Sequence, residues 1–333
     1  MKSMNSKLVW TSLLCLAFTA CKKTEVADPM PSWNQTDVKN QIIGYVESAS
    51  ESIPEEDRIA VFDMDGTIAC ESPLWFEAAV AVQGMMDQLK EDSSLIGKTE
   101  YQMAKRLSEN PADTTVLDHW VVDGVNYLDS ILLKSFAGKD HEYYVEYANN
   151  YLTEAKAPKY DRVYGDLFYQ PMLELIEYLK ENKFRIYLVS GSMQGVVWSI
   201  APQTTGLNRE ELLGTRQQLQ PVYKDGKTEF VIQKSILQPK NDGNGKSQNI
   251  YSHIGKVPVF AFGNTVGDFG MFHLVSTSKY PHMAVMLNHD DAEREYTYKP
   301  YHGKPVEGWN DSLQNNGWVR ADMSKEFKTV WKQ

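Results

Sequence analysis

Ile59-Ala60-Val61-Phe62-Asp63-Met64-Asp65-Gly66-Thr67 is the stretch on which the reading of this chain turns. Four apolar residues without alternation suit a strand buried on both faces, as in a parallel sheet. The run stops at two carboxylates two residues apart, which leave a strand end in the same direction. Such a pair repels itself and attracts a hard divalent cation. Gly66 permits the tight turn that follows.

Three further apolar runs stop in the same way. Phe184–Val189 runs into Ser190-Gly191-Ser192, Val257–Phe262 into Gly263-Asn264-Thr265-Val266-Gly267-Asp268, and Met283–Leu287 into Asn288-His289-Asp290-Asp291. Between them, Gln170 to Asn182 reads as an amphipathic helix with Met172, Leu175, Ile176 and Leu179 on one face and Pro171 near its start. Strand–helix alternation predicts an α/β domain with right-handed crossovers and a mostly parallel sheet. Ligands of such sheets sit beyond the carboxyl ends of the strands, so the polar groups at those ends are expected to converge in one crevice.

The first two core strands lie about 120 residues apart, far more than a simple crossover needs. Residues 72–165 therefore read as an insertion, with helical spacing over Leu74–Leu89, Val116–Phe136 and Glu142–Ala155. The expected organisation is a core formed by residues 33–71 and 166–333, with a mainly helical cap formed by 72–165. A cap over the crevice would exclude water and select substrate.

The motifs together resemble the haloacid dehalogenase superfamily. Asp63-Met64-Asp65-Gly66-Thr67 matches its Asp-x-Asp-x-Thr, Ser190 its strand-ending hydroxyl, Lys246 its lysine, and Asn264 with Asp268 its acidic pair. The position of the insertion is similar to the family's helical-cap subgroup, which includes phosphoserine phosphatases and phosphorylcholine phosphatase. Phe262–Met271 and residues 289–295 also look like a subgroup of exported acid phosphatases. The resemblance implies a Rossmann-like core and Mg2+-dependent phosphomonoester hydrolysis. Asp63 would be the nucleophile, giving an aspartyl-phosphate. Asp65 would protonate the leaving alcohol and then take a proton from water. Thr67, Ser190 and the N–H groups of Met64 and Gly191 would hold phosphoryl oxygens. Lys246 would neutralise charge, and Asp63, Asp65 (through its carbonyl), Asn264 and Asp268 would hold the cation. Glu71 would contact the substrate. Asp65 favours a phosphatase over a dehalogenase, whose halide leaves without a proton. Asn264 stands where the family has an aspartate. The alternatives are a catalytically weak phospholigand-binding protein and a phosphotransferase.

Outside the core, Lys2 and Lys7 precede an apolar stretch, Leu8–Ala20, too short to span a bilayer and laid out as a secretory signal. Phe18-Thr19-Ala20-Cys21 resembles a bacterial lipobox, so residues 1–20 are expected to be removed and Cys21 lipidated. Residues 21–32 would be a tether, and the protein would face the periplasm or cell surface. Only Cys70 then remains besides Cys21, so no intramolecular disulfide is expected. A net charge of −10 argues against nucleic acid, because no basic excess replaces phosphate counterions. The expected partner is a small phosphorylated metabolite, with the membrane reached only through the lipid. Gly245-Lys246-Ser247 imitates a P-loop, but Lys240 stands where its first glycine belongs. Lys240 and Lys234 are the other lysines that could serve as the third motif.

Overall fold

The computed structural model describes residues 27–117, 119–298 and 307–333. The expected signal and the lipidated Cys21 lie outside the described residues. Strands are labelled β1 (Ile59–Phe62), β2 (Arg185–Met193), β3 (Leu212–Thr215), β4 (Gln217–Lys224), β5 (Lys227–Ile236), β6 (Phe260–Gly263), β7 (Met283–Asn288) and β8 (Val319–Asp322). Helices are α1 (Asp37–Ser52), α2 (Phe76–Glu91), α3 (Thr99–Glu109), α4 (Tyr127–Lys134), α5 (His141–Glu154), α6 (Gln170–Glu181), α7 (Gln194–Thr205), α8 (Asn244–Ile254) and α9 (Phe269–Ser276).

Six strands form one parallel sheet in the order β8-β7-β6-β1-β2-β3. The expected Rossmann-like core is thus present, and β1 lies at its centre. Every residue of β1 and β6 is buried, because each face of the sheet is covered. Ala60, Phe62, Ile186, Leu188, Phe260 and Phe262 share one cluster with Ile42 and Val46 of α1 and Leu175 and Leu179 of α6. Val61, Val189, Ala261 and Met286 share the opposite cluster with Ile250, Met271 and Phe272 of α8 and α9. Both faces are apolar, which is why the strands show no alternation. Each fully buried Leu, Ile or Val there contributes roughly 1.5–3 kcal/mol as an upper bound.

Register places the chemistry. Phe62 is opposite both Leu188 and Phe262, so the next residue of each strand, Asp63, Val189 and Gly263, stands at one level. The Asp63 motif and the Gly263–Asp268 loop leave the sheet beside Ser190 and Ser192, which lie in the last residues of β2 because that strand continues past the expected end at Val189 to Met193.

Residues 28–32, read as tether, already pack: Met30 is fully buried, and the Lys39 ammonium lies 2.6 Å from Asp28. The insertion is mainly helical, as expected, but Val116–Phe136 is not one helix. Val121–Val122 and Val125–Asn126 pair antiparallel around Asp123 (φ 49°) and Gly124 (φ 77°). The helix α4 begins only after that hairpin. An Asp-Gly pair between β-branched residues favours a mirror-image turn, which interrupts the helical period. A second hairpin, β4–β5, turns at Asp225 (φ 50°) and Gly226 (φ 75°). It arises from the core after β3 and docks on the insertion. Ile232 N donates to Lys139 O at 2.9 Å, Gly138 N to Ile232 O at 2.8 Å, and Phe230 N to the Asp140 carboxylate at 2.8 Å.

Candidate active site

Asp63, Asp65, Glu71, Gly191, Lys246, Asn264 and Asp268 line one cavity of about 250 Å3, whose other wall is Trp75, Glu77, Trp120, Leu128, Asp129 and Leu132 from the insertion. Residues about 200 positions apart therefore meet beyond the sheet's carboxyl edge.

Asp63 is 6% exposed, and its Oδ1 accepts from the Lys246 ammonium. Lys246, in the first turn of α8, also donates to Asp268 Oδ1 at 2.6 Å. Asp268 Oδ2 accepts from Asn264 N at 2.8 Å and Thr265 N at 3.0 Å. The Asp268 carboxylate lies so close beneath Gly263 that a Cβ there would fall 2.5 Å from Asp268 Cγ. Only glycine lets strand and loop approach like this. Burial alone would lower the Lys246 pKa, but the Asp268 and Asp63 carboxylates outweigh it and hold the ammonium charged. Burial pushes the Asp63 carboxyl well above its usual range, Lys246 opposes this, and Asp268 and Asp65 add to it.

Asp65 differs. Its Oδ2 accepts from Ser190 Oγ at 2.9 Å and Ser192 Oγ at 2.8 Å, while its buried Oδ1 has no hydrogen-bond partner. Burial raises its pKa against the pull of those hydroxyls, which favours the protonated acid. Ser190 and Thr67, expected to face a phosphoryl group, are both fully buried and turned to protein acceptors. Thr67 Oγ1 lies 3.2 Å from Asp63 Oδ2 and 3.3 Å from Asn264 Oδ1. The other candidate lysines separate: Lys240 lines this cavity, whereas Lys234 lines a different one beside Lys98 and Lys134.

Asn264 has a local reason. Its Nδ2 donates to Tyr298 OH at 2.6 Å and to Glu71 Oε1 at 3.4 Å. An aspartate would instead face the Glu71 carboxylate. Glu71 also accepts from Tyr296 OH at 2.8 Å and Tyr298 OH at 3.1 Å. Burial raises its pKa to about 7, with His289 and the Tyr296 hydroxyl opposing.

Several groups escaped sequence reading. Ser192 follows Ser190 at the two-residue spacing that shares a strand face, a signal that was available. Tyr296, Tyr298, Glu295 and His289 follow β7, and His289 reads in the sequence as a loop residue. It does lie in irregular chain past β7, and it is buried there, with Nε2 2.6 Å from Gly66 O and Nδ1 2.9 Å from Glu295 Oε2. Glu295 Oε2 accepts from Tyr296 N as well. Both ring nitrogens face acceptors, so both carry protons and His289 is an imidazolium. Burial alone would lower its pKa, but Glu295 leads the groups that hold it above the usual value. A raised native pKa contributes stability that is complete below the unfolded value, about 6.5, and is lost as pH rises through the native one. The stability difference between the wild type and His289→Gln is expected to be largest at pH 5–6 and to shrink at alkaline pH. Urea titrations across pH 5–9 measure it, and a constant difference would contradict the charged imidazole.

Among the described residues no three His, Cys, Asp or Glu side chains are grouped to hold a metal ion. The oxygens gathered at this end are Asp63 Oδ2 and Asn264 Oδ1, which share the Thr67 hydroxyl, and the Asp268 carboxylate, already bonded to Lys246 and two main-chain N–H groups. Two buried carboxylates, Asp63 and Asp268, bond one ammonium, and the half-buried Asp65 lies beside them. That surplus of negative charge and an all-oxygen donor set fit a hard divalent cation.

Residues 60–273, nearly two thirds of the chain, match the family of haloacid dehalogenase-like hydrolases. No curated protein matches the chain in sequence. A solved structure of a functionally unknown protein from Anaerococcus prevotii has the same fold, with a TM-score of 0.53 and 14% identity over 85% of this chain and 91% of that one. A protein of unknown function from Bordetella pertussis aligns at TM-score 0.49 and 13% identity over 80% and 98% of the two chains. A phosphoserine phosphohydrolase-like protein from Francisella tularensis aligns at TM-score 0.37 and 13% identity over 69% and 87%.

Proposed function

This chain belongs to the haloacid dehalogenase-like hydrolases, and from that premise we propose that it is a Mg2+-dependent phosphomonoesterase acting on a small ester. The observation that supports this best is the unequal pair of acids in one cavity. Burial raises the pKa of both, but Asp63 is held against the Lys246 ammonium, whereas Asp65 meets two hydroxyls and presents a free oxygen. Pairs of acids with different environments divide nucleophilic and proton-transfer roles.

In this reading Asp63 attacks phosphorus in line. A bond forms between its carboxylate oxygen and phosphorus as the phosphorus–alcohol bond breaks. Asp65 gives its proton to the departing alkoxide. Water then attacks the aspartyl-phosphate, Asp65 recovers a proton from it, and inorganic phosphate leaves. Lys246 holds Asp63 Oδ1 and the Thr67 hydroxyl meets Oδ2, which together orient the carboxylate for attack. Asp63, Asn264, Asp268 and the Asp65 carbonyl would hold Mg2+, which when bound supplies the positive charge that keeps Asp63 ionised and shields the phosphoryl oxygens. The wall from the insertion excludes bulk water. Asn264 keeps an oxygen toward Asp63 and Thr67, which favours turnover over a pure phospholigand-binding role.

Sequence alone supports export and lipid attachment at Cys21, and we propose both. Among the described residues no helix is long and apolar enough to cross a membrane. Hydrolysis of p-nitrophenyl phosphate tests the proposal. Turnover with Mg2+ that disappears with EDTA and returns with excess Mg2+ is expected, and turnover indifferent to chelation would refute the metal requirement.

A further inference from the structure

Three buried side-chain atoms among the described residues have no hydrogen-bond partner: Asp65 Oδ1, Glu77 Oε1 and Gln217 Oε1. Two of them, on Asp65 and Glu77, belong to residues that line the same cavity. Asp65 has a place in the chemistry above. Glu77 does not.

Glu77 sits in the first turn of α2 and is 4% exposed. Trp75 Nε1 reaches its Oε2 at a long 3.5 Å and the Met193 N–H also faces the carboxyl, while Oε1 has no partner. Lys240 lines the cavity too, but it forms no ion pair with Glu77. Burial raises the Glu77 pKa to about 7, with Lys240 opposing. A buried carboxyl oxygen without a donor is costly, so it is expected where a donor arrives with a ligand.

The two ends of the cavity differ in where their cations lie. The core contributes Lys240 and Lys246 among five carboxyl groups, Asp63, Asp65, Glu71, Asp242 and Asp268. The insertion contributes Glu77 and Asp129, two tryptophans and two leucines, and no cation. A phosphoryl group placed at Asp63 therefore leaves the alcohol part of the ester facing an acceptor wall. At about 250 Å3 the space is smaller than a drug-sized pocket, so a short leaving group reaches that wall.

We propose that Glu77 determines which phosphate esters the site takes: its free oxygen accepts a hydrogen bond from an N–H or O–H donor on the leaving alcohol, at the end remote from phosphorus. The inference rests on the phosphoester reading of the site. Sites built to meet a substrate donor reject analogues that lack it far more strongly than apolar pockets discriminate size.

Four probes of similar size test it with Mg2+ present: 2-aminoethyl phosphate, glycerol 3-phosphate, propyl phosphate and choline phosphate. The wild type is expected to favour 2-aminoethyl phosphate or glycerol 3-phosphate over propyl phosphate by at least about tenfold in kcat/KM. Whichever of the two leads identifies the donor as ammonium or hydroxyl. In Glu77→Ala the ratio to propyl phosphate should fall to near one. Glu77→Gln, which keeps an acceptor of the same shape, should retain part of it. Ratios within one protein do not depend on its folded fraction, and the wild-type ratio stands even where a variant fails to fold. Equal turnover of propyl phosphate, or a ratio unchanged in both variants, overturns the inference. Choline phosphate performing as well as 2-aminoethyl phosphate also overturns it, since charge without an N–H would then suffice. Calorimetric binding of the same probes separates this inference from the hydrolase reading. Selective binding of donor-bearing esters without turnover sinks only the hydrolase, unselective binding sinks the role of Glu77, and no binding sinks both.

Discussion

Replacing Asp63 with asparagine is expected to lower kcat on p-nitrophenyl phosphate by about 10⁴-fold or more, the scale seen when a covalent nucleophile is removed. The amide keeps the shape of the side chain and an oxygen for the Lys246 ammonium, but it lacks the charge that attacks phosphorus. The fold should not suffer. Asp63 is one of two buried carboxylates on one ammonium, with Asp65 near enough to repel it, and its own pKa is pushed well above the usual range by burial. Loss of one acid there relieves repulsion, so the melting temperature should hold or rise, the trade common where an active site stores electrostatic strain. Acid-quenched single turnovers should trap a phosphorylated protein in the wild type and none in Asp63→Asn. A variant within tenfold of wild-type kcat would remove Asp63 as nucleophile.

The second large effect is on stability. Lys246→Ala is expected to destabilise the protein by about 3–5 kcal/mol at pH 7, the scale for removing one partner of a buried ionic cluster. The ammonium is 2.6 Å from Asp268 and also bonds Asp63, with all three side chains less than a tenth exposed. Without it, Asp63 titrates still higher in the native state than in the unfolded chain, where its pKa is about 3.9. The native state then binds more protons, so stability falls as pH rises and recovers as pH falls. Urea titrations at pH 5 and 7.5 should show the deficit of Lys246→Ala shrinking at the lower pH. A deficit below about 1 kcal/mol, or one independent of pH, would contradict this account of the cluster. Activity should be lost as well, since nothing then orients Asp63 Oδ1.

The core was legible because double-sided burial leaves an unmistakable mark. Runs such as Ile59–Phe62 and Val257–Phe262 show no alternation, and each ends at a polar group. In a parallel sheet those ends lie at one level, so Asp63, Ser190 and the Gly263–Asp268 loop could be placed together before any coordinates. Lys246 was harder. It comes from a helix, and three lysines compete within thirteen residues; only the fold sends Lys234 to the insertion and Lys246 between two aspartates. The groups that sequence reading missed are of two kinds. His289, Glu295, Tyr296 and Tyr298 lie in irregular chain after β7, where no period relates position to direction. Glu77 looks like any acid at a helix start, which the helix dipole favours anyway; its lack of a partner is a tertiary fact. The two hairpins are a different matter. Asp123-Gly124 and Asp225-Gly226 are strong local turn signals, and at 121–126 the helical reading of the surrounding residues overrode them.

The hairpin β4–β5 also ties the core to the insertion. Its two legs are rooted in the core beside β3, yet its far strand is stitched by main-chain bonds to residues 138–140 of the insertion. The insertion is thus held by its own connections at either end, by this strap, and by α5, whose Glu142 pairs with Arg209 and whose Asn149 donates to Ser199 O at 2.7 Å. Shortening the hairpin is expected to loosen residues 138–140 first, which faster amide exchange there would register.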